Sequence, residues 1–167
     1  TGGLGTIRLN RPRALNAMDR SMVEAMDRVL QDWEADDSVQ AVVLYGGGDR
    51  GLCAGGDIRA IATGTDAEAM RFWSAEYTLN ARVAAFPKPY VAVMDGVVMG
   101  GGIGVSAHAG IRVVTERTMA AMPEVRIGFS PDCAGALLLA QAPGELGTHL
   151  ALTAGTLSVA DAVLCGF

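Results

Sequence analysis

At 167 residues and 17.3 kDa the chain is long enough for a substantial hydrophobic core, and with half its residues apolar and 19% charged it is not a disordered segment. The 13 Lys and Arg against 18 Asp and Glu leave a net charge of −5 scattered along the chain, which argues against a binder of nucleic-acid backbones. Glycine stands out: 22 residues, about 13% against a usual 7%, with no three-residue period, so these glycines serve local geometry.

Gly5 to Asn10 alternates like a strand and stops at Arg11-Pro12, where proline restricts the preceding residue to extended or turn geometry. From Asp19 to Trp33, apolar residues fall at Met22, Val23, Met26, Val29, Leu30 and Trp33, the spacing of one helical face, and Asp36-Asp37 ends that helix. Ala41 to Tyr45 reads as a buried strand, Gly46 to Gly56 as a glycine-rich loop, and Asp57 as the start of a helical turn. Asp66 is the expected N-cap of a second long helix reaching Ala85, with Met70, Trp73, Tyr77, Ala81 and Ala84 on its apolar face. Pro87 and Pro89 break it. Tyr90 to Met94 is the next strand, followed by Asp95-Gly96, the Gly100-Gly101-Gly102 turn and a short helix from Ile103 to His108. Strands over Ile111–Thr115 and Met119–Met122 follow, then helical stretches near Cys133–Gln141, Gly144–Leu152 and Ser158–Leu164. Short apolar strands alternating with helices, without repeats or linkers, predict a single α/β domain over residues 1–167 with its sheets covered by helices.

Cys53, Cys133 and Cys165 are odd in number and far apart, which argues against a disulfide framework or zinc site and for a reducing compartment. Nothing at the start reads as a signal peptide, and the apolar run Tyr90–Ala107 carries Asp95 and three consecutive glycines, so it reads as strand and turn rather than a membrane span. The absence of an initiating Met and the stop within or just after a helical pattern suggest trimming at both ends, chiefly of a C-terminal part.

Two loops carry the chemical interest. Leu52–Ile58 (LCAGGDI) and Val98–His108 (VMGGGIGVSAH) each run from strand through glycines into a helix, leaving backbone N–H groups free and allowing close approach. One N–H from each, converging on a single oxygen, would form an oxyanion hole. Dinucleotide and triphosphate motifs are absent from both loops, and the surroundings of Ser106 do not form a GxSxG elbow. His108 and His149 stand alone, so no metal site is expected. The carboxylate candidates are Glu124 after Met122-Pro123, Asp132 eight residues later, and Glu76, which shares a helical face with Trp73 and Asn80 and could have a raised pKa.

The segments NRPRALNAM (from Asn10), LCAGGDIRA (from Leu52), EYTLN (from Glu76), KPYVAVMDGVVMGGGIGVSAH (from Lys88), RVVTERTMAAMPEVRIGFSPD (from Arg112) and ALTAGTLSVADAV (from Ala151) resemble, in order and spacing, the enoyl-CoA hydratase/isomerase or crotonase superfamily. They are most similar to its hydrolase branch, which cleaves 3-hydroxyisobutyryl-CoA in valine breakdown. The resemblance implies a spiral of ββα units, an acyl-CoA substrate with no separate cofactor, and an oxyanion hole from the N–H groups of Gly56 and Gly101. It implies Glu124 as nucleophile or as base for water, Asp132 as proton-transfer partner or anchor of the substrate hydroxyl, and Glu76 lining the same pocket. CoA would run along Arg13-Ala14-Leu15 and the backbone near Ala54 to Ile58, Asp57 included, with Arg13 offered to a phosphate. Hydratases of the superfamily place a glutamate three residues after the second oxyanion glycine; Gly104 stands there, which favours thioester hydrolysis over hydration. Where the branch usually reads Phe-Pro-Asp-Val-Gly, this chain reads Ser130-Pro131-Asp132-Cys133-Ala134. The same resemblance implies a trimer or hexamer, in the cytoplasm or, in a eukaryote, the mitochondrial matrix. The alternatives are an enoyl-CoA isomerase or hydratase on the same fold, or an inactive CoA-binding subunit.

Overall fold

A computed structural model describes residues 2–167. In chain order the elements are β1 (Leu4–Leu9), α1 (Arg20–Ala35), β2 (Ala41–Gly46), β3 (Gly51–Cys53), α2 (Ile58–Thr63), α3 (Asp66–Ala85), β4 (Tyr90–Met94), β5 (Val97–Met99), α4 (Gly101–Ser106), β6 (Ile111–Val114), β7 (Met119–Ala121), α5 (Gly135–Gln141), α6 (Leu146–Thr153) and α7 (Val159–Cys165). Single 3₁₀ turns occupy Pro12–Ala14 and Glu124–Ile127.

The strands form two parallel sheets, in the orders β1-β2-β4-β6 and β3-β5-β7. Each turn of the chain lays one strand in the first sheet and the next in the second before entering helix or loop, so β2-β3, β4-β5 and β6-β7 repeat one motif as a spiral. This is the α/β arrangement of ββα units that the glycine loops and strand order imply. Register in the first sheet is uninterrupted from Leu4 opposite Ala41 to Leu9 opposite Gly46, and β1 alternates exposed and buried residues along its length. Leu9, Val42, Leu44, Tyr90, Ala92 and Met94 join Met18, Val23, Leu30, Leu52, Val98 and Ile103 in one buried cluster.

β3 and β5 fall inside segments read from sequence as loop and turn. Three residues are too few for an alternating pattern to register, and these strands exist because the spiral supplies neighbours: Gly51 and Cys53 pair with Val97 and Val98, and Val97–Met99 pair with Met119–Ala121. The helices begin close to where their caps predict. Asp19 accepts the Met22 N–H at the start of α1, and α1 buries Val23, Met26 and Leu30. At α3 the cap is Thr65, not Asp66: its hydroxyl accepts the Glu68 N–H while the Glu68 carboxylate accepts the Thr65 N–H, a reciprocal capping box. The buried face of α3 also differs from the apolar stripe in the sequence. Met70 and Tyr77 are exposed, and the inward residues are Ala69, Phe72, Glu76, Leu79, Asn80 and Val83. Two polar residues sit on that face, so a count of apolar residues alone selects the neighbouring stripe.

Asn16, in the NRPRALNAM segment, joins the first turn of the spiral to the second. Its side chain accepts the Arg11 N–H at 3.0 Å and donates to the Gly47 and Gly51 carbonyls at 2.9 and 3.0 Å, in a left-handed backbone conformation (φ +55°) that asparagine tolerates. Arg11 reinforces the link, donating to the Ala17 carbonyl and pairing with Asp57 at 2.9 Å. No helix among the described residues is long and apolar enough to cross a membrane. Asn16→Ala removes three hydrogen bonds, strands one buried and one partly buried carbonyl and leaves a residue less suited to positive φ; we expect a loss of about 2–4 kcal/mol in unfolding free energy, read from the urea midpoint.

Candidate active site

The site begins at the contact between the two glycine loops. Gly55 (φ +107°) and Gly100 (φ +51°) hold backbone conformations that a side chain disfavours. They lie so close that a Cβ on Gly55 would sit 3.4 Å from the Gly101 nitrogen, and one on Gly101 would sit 3.3 Å from the Gly56 nitrogen. Among the described residues neither the Gly56 nor the Gly101 N–H donates to a protein acceptor, although their neighbours do: Asp57 N–H to the Met18 carbonyl, Gly100 N–H to the Ala121 carbonyl. Gly101 opens α4, where the first helical N–H groups have no intrahelical partner. Cys53 shapes the first loop, its sulfur accepting the Gly55 N–H at 3.3 Å while its thiol donates to the Asn16 carbonyl.

Two carboxylates border this contact. Glu76 points from α3 at Gly101, where a Cβ would collide with its Oε1, and Glu124 places Oε1 3.0 Å from the position of a Cβ on Gly100. Both are buried, at 2% and 6% exposure, and Glu76 Oε1 and Glu124 Oε2 have no hydrogen-bond partner. Burial raises both acids to about 7, with the nearby charge of Asp132 adding to the rise. Glu124 starts the 3₁₀ turn after Pro123, and the Phe129 ring beyond that turn stacks on Trp73 of α3 with centroids 5.4 Å apart. That stacking holds the Glu124–Asp132 segment against α3.

Asp132 is half-buried; it accepts the Tyr77 hydroxyl at 3.1 Å and the Cys133 thiol at 3.3 Å. Donor atoms of Glu76, Asp132 and Cys133 lie within 4.8 Å of one another, a spacing that suits shared protons and would also suit a metal ion. Burial pushes the Cys133 thiol above its ordinary range, which favours the proton network. The Cys133-Ala134 departure leaves the acid in place: both residues take left-handed conformations (φ +51° and +56°), and the Cys133 carbonyl lies 2.8 Å from His108 Nε2.

The structure therefore brings together Glu76, Glu124, Asp132, Gly56 and Gly101. Arg13 and Ala14 lie apart from the acids, exposed on the first 3₁₀ turn, whose Pro12 and Arg13 carbonyls accept from the Arg50 guanidinium. Ala54 donates its N–H to the Leu15 carbonyl, which holds that turn against the Gly55-Gly56 loop. The Asp57 carboxylate is occupied, capping α2 at the Ala60 N–H and paired with Arg11, which also keeps its pKa low. An open cleft of about 570 Å³, lined by Met18, Asp57, Ile61 and Phe72 among others, abuts the glycine contact; none of the three acids lines it. Three contributors were not singled out in the sequence: Tyr77, Cys133 and Asn80. The EYTLN segment carried a signal for Asn80, an amide one helical turn after a buried acid.

A family model described as enoyl-CoA hydratase/isomerase matches residues 4–167. The chain is 44% identical over 99% of its length to a mitochondrial 3-hydroxyisobutyryl-CoA hydrolase of Xenopus tropicalis, covering 44% of that protein. It is 40% identical over 92% of its length to the small ribosomal subunit protein mS47 of Neurospora crassa, covering 32% of it. Among solved structures, a carnitinyl-CoA dehydratase from Mycobacterium thermoresistibile superposes with a TM-score of 0.96 at 56% identity, over 99% of this chain and 49% of that one. The chain thus spans less than half the length of these proteins.

Glu76 ionises with difficulty, and stability should record it. Between the ordinary carboxylate value of 4.5 and about 7, the unfolded chain is charged and the folded one is not, so the folded state loses stability as pH rises across that window and carries the full cost above it. Glu76→Gln should lack this loss; relative to wild type, its advantage should grow by about 2.5 kcal/mol between pH 5 and pH 8.5, read by urea unfolding at both pH values.

Proposed function

Because the chain belongs to the enoyl-CoA hydratase/isomerase family, we propose that it forms the catalytic core of an acyl-CoA thioester hydrolase acting on 3-hydroxyisobutyryl-CoA or a similar short 3-hydroxyacyl-CoA. The observation that supports this reading is the close approach of the Gly55-Gly56 and Gly100-Gly101 segments, with the Gly56 and Gly101 N–H groups unpaired, beside a buried Glu124 raised to about 7. A thioester carbonyl oxygen placed between the two N–H groups gains its hydrogen bonds when it becomes a tetrahedral oxyanion, where they accelerate the reaction most. One such preorganised donor contributes roughly 2.7–4 kcal/mol to transition-state stabilisation.

Glu124, raised by burial to about 7, is suited to take a proton from water or to attack the carbonyl itself. Either route breaks the C–S bond, adds the elements of water across it and yields a carboxylic acid and free CoA thiol. Asp132, which accepts the Tyr77 hydroxyl and the Cys133 thiol, would relay the proton to the departing sulfur. Glu76, raised by burial in the same way, stands beside Gly101. The exposed Arg13-Ala14 turn, tied to Ala54 through Leu15, is a track for CoA, with Arg13 available to a phosphate.

Two observations bear on other readings. The dehydratase name of one solved relative favours water removal across a carbon–carbon bond, but here Gly104 occupies the position of the hydratase glutamate, leaving Glu124 without that partner. The ribosomal name of another relative favours a non-catalytic subunit, against which stand two buried acids without hydrogen-bond partners for their inward oxygens. Release of free thiol from 3-hydroxyisobutyryl-CoA, followed with a thiol reagent on the longest natural form of the protein, tests the proposal. The rate should rise with pH up to about 7 and level off as Glu124 loses its proton, and Glu124→Gln should lower it about 10²–10⁴-fold. A double-bond shift in a 3-enoyl-CoA without thiol release would establish the isomerase in its place.

A further inference from the structure

Among the described residues, four buried side-chain atoms have no hydrogen-bond partner: Glu76 Oε1, Glu124 Oε2, and both Oδ1 and Nδ2 of Asn80. The hydrolytic chemistry accounts for the two carboxylates. It gives Asn80 nothing to do, yet that amide is only 3% exposed, and beyond the approach of its donor to the Cys133 sulfur neither Oδ1 nor Nδ2 has a partner within hydrogen-bond geometry. Native proteins seldom leave such a group unpaired unless something else completes it.

Asn80 follows Glu76 by one turn of α3, as Gly104 follows Gly101 on α4, so the acid and the amide lie over successive gaps in the same glycine-lined face. A Cβ on Gly104 would stand 2.8 Å from Asn80 Oδ1, 2.9 Å from Nδ2 and 2.7 Å from the Cys133 Cβ, so the amide fills the space that a side chain at 104 would take. It lies beside the acids and about 5.4 Å, one helical turn, beyond the level of Glu76 and the Gly101 N–H. A carboxamide gains and loses no proton near neutral pH, but it presents one acceptor and two N–H donors in a fixed plane. A ligand that satisfies both sides with one atom must itself donate and accept. A hydroxyl does so; a carbonyl leaves Oδ1 unpaired, and an alkyl group leaves both atoms unpaired.

We propose that Asn80 is a specificity-determining residue that binds a hydroxyl group on the acyl chain, two carbons from the thioester carbonyl, through Nδ2 as donor and Oδ1 as acceptor. This deepens the acyl-CoA reading above and rests on it. A site built to hydrogen-bond a hydroxyl rejects the analogue lacking one, because its own polar atoms are then left buried and unpaired.

The test is made where no bond is broken. In a Glu124→Gln background of the longest natural form of the protein, calorimetric titration compares 3-hydroxyisobutyryl-CoA with isobutyryl-CoA, which differ by that hydroxyl alone. The hydroxylated ligand should bind at least tenfold tighter, Asn80→Leu should reduce the ratio to within threefold, and Asn80→Ser, which restores a smaller donor and acceptor, should recover part of it. Circular dichroism checks that each variant is folded; should Asn80→Leu not fold, the ratio in the Asn80 protein and in Asn80→Ser decides. Equal affinities for the two ligands in the Asn80 protein, or a ratio unchanged in the variants, overturns the proposal, as does failure of either acyl-CoA to bind. Absence of thiol release by the unmutated protein, with the affinity ratio intact, removes the hydrolase reading and leaves Asn80 in its role.

Discussion

The contact between Gly55-Gly56 and Gly100-Gly101 sets the terms for everything around it. Two backbone segments meet so closely that a Cβ on Gly55 or Gly101 would be crowded by the other segment at 3.1–3.4 Å, and the positive φ of Gly55 and Gly100 turns each loop to make that meeting possible. Helix α4 can then start against the first loop with its leading N–H unpaired, while α3 comes near enough for Glu76 to reach Gly101. The hydrogen bonds of Asn16, the Arg11–Asp57 pair and the Cys53 sulfur all fix the segments that lead into this contact. The structural interactions of these motif residues and the chemistry proposed for the glycines are thus parts of one arrangement.

Electrostatics divides the acids into two groups. Asp57, paired with Arg11, and Asp95, which accepts the Thr115 hydroxyl and pairs with Arg117, are held below the ordinary carboxylate range, as acids that stabilise a fold usually are. Glu76 and Glu124 have no such cation and are raised instead, each burdened by burial and by the charge of Asp132. A chain selected only to fold would have little reason to retain two buried acids within reach of a third. Their cost is offset by the apolar cluster that the two sheets and α1 bury together.

Much of this was legible in the sequence where local rules dominate. Apolar spacing located α1, the short runs located β2 and β4 within a residue of their observed limits, and the glycine loops pointed to free N–H groups before any fold was considered. The strands β3 and β5 were not legible, because three residues carry no period and depend on partners from neighbouring turns of the spiral. On α3 the shared face of Glu76, Trp73 and Asn80 was legible, but the apolar stripe through Met70 and Tyr77 pointed to a neighbouring face, because two polar groups on the inward face leave it with fewer apolar residues to count. Tyr77 and Cys133 entered the site through long-range packing, led by the stacking of Phe129 on Trp73, which no local pattern encodes.

The parallel spiral also has a kinetic side. Without an antiparallel hairpin in either sheet, every strand pair closes a long loop, from Leu4 to Ala41 and from Val42 to Tyr90, so each pairing carries loop-closure entropy before its contacts form. The residues of the site come from three successive turns: Gly56 and Glu76 after β3, Gly101 after β5 and Glu124 after β7. No partly wound chain holds them all, so the pocket comes into being only with the last turn. A ligand that recognises it draws the population toward the fully wound state by mass action, and occupancy of the pocket becomes a measure of completed folding.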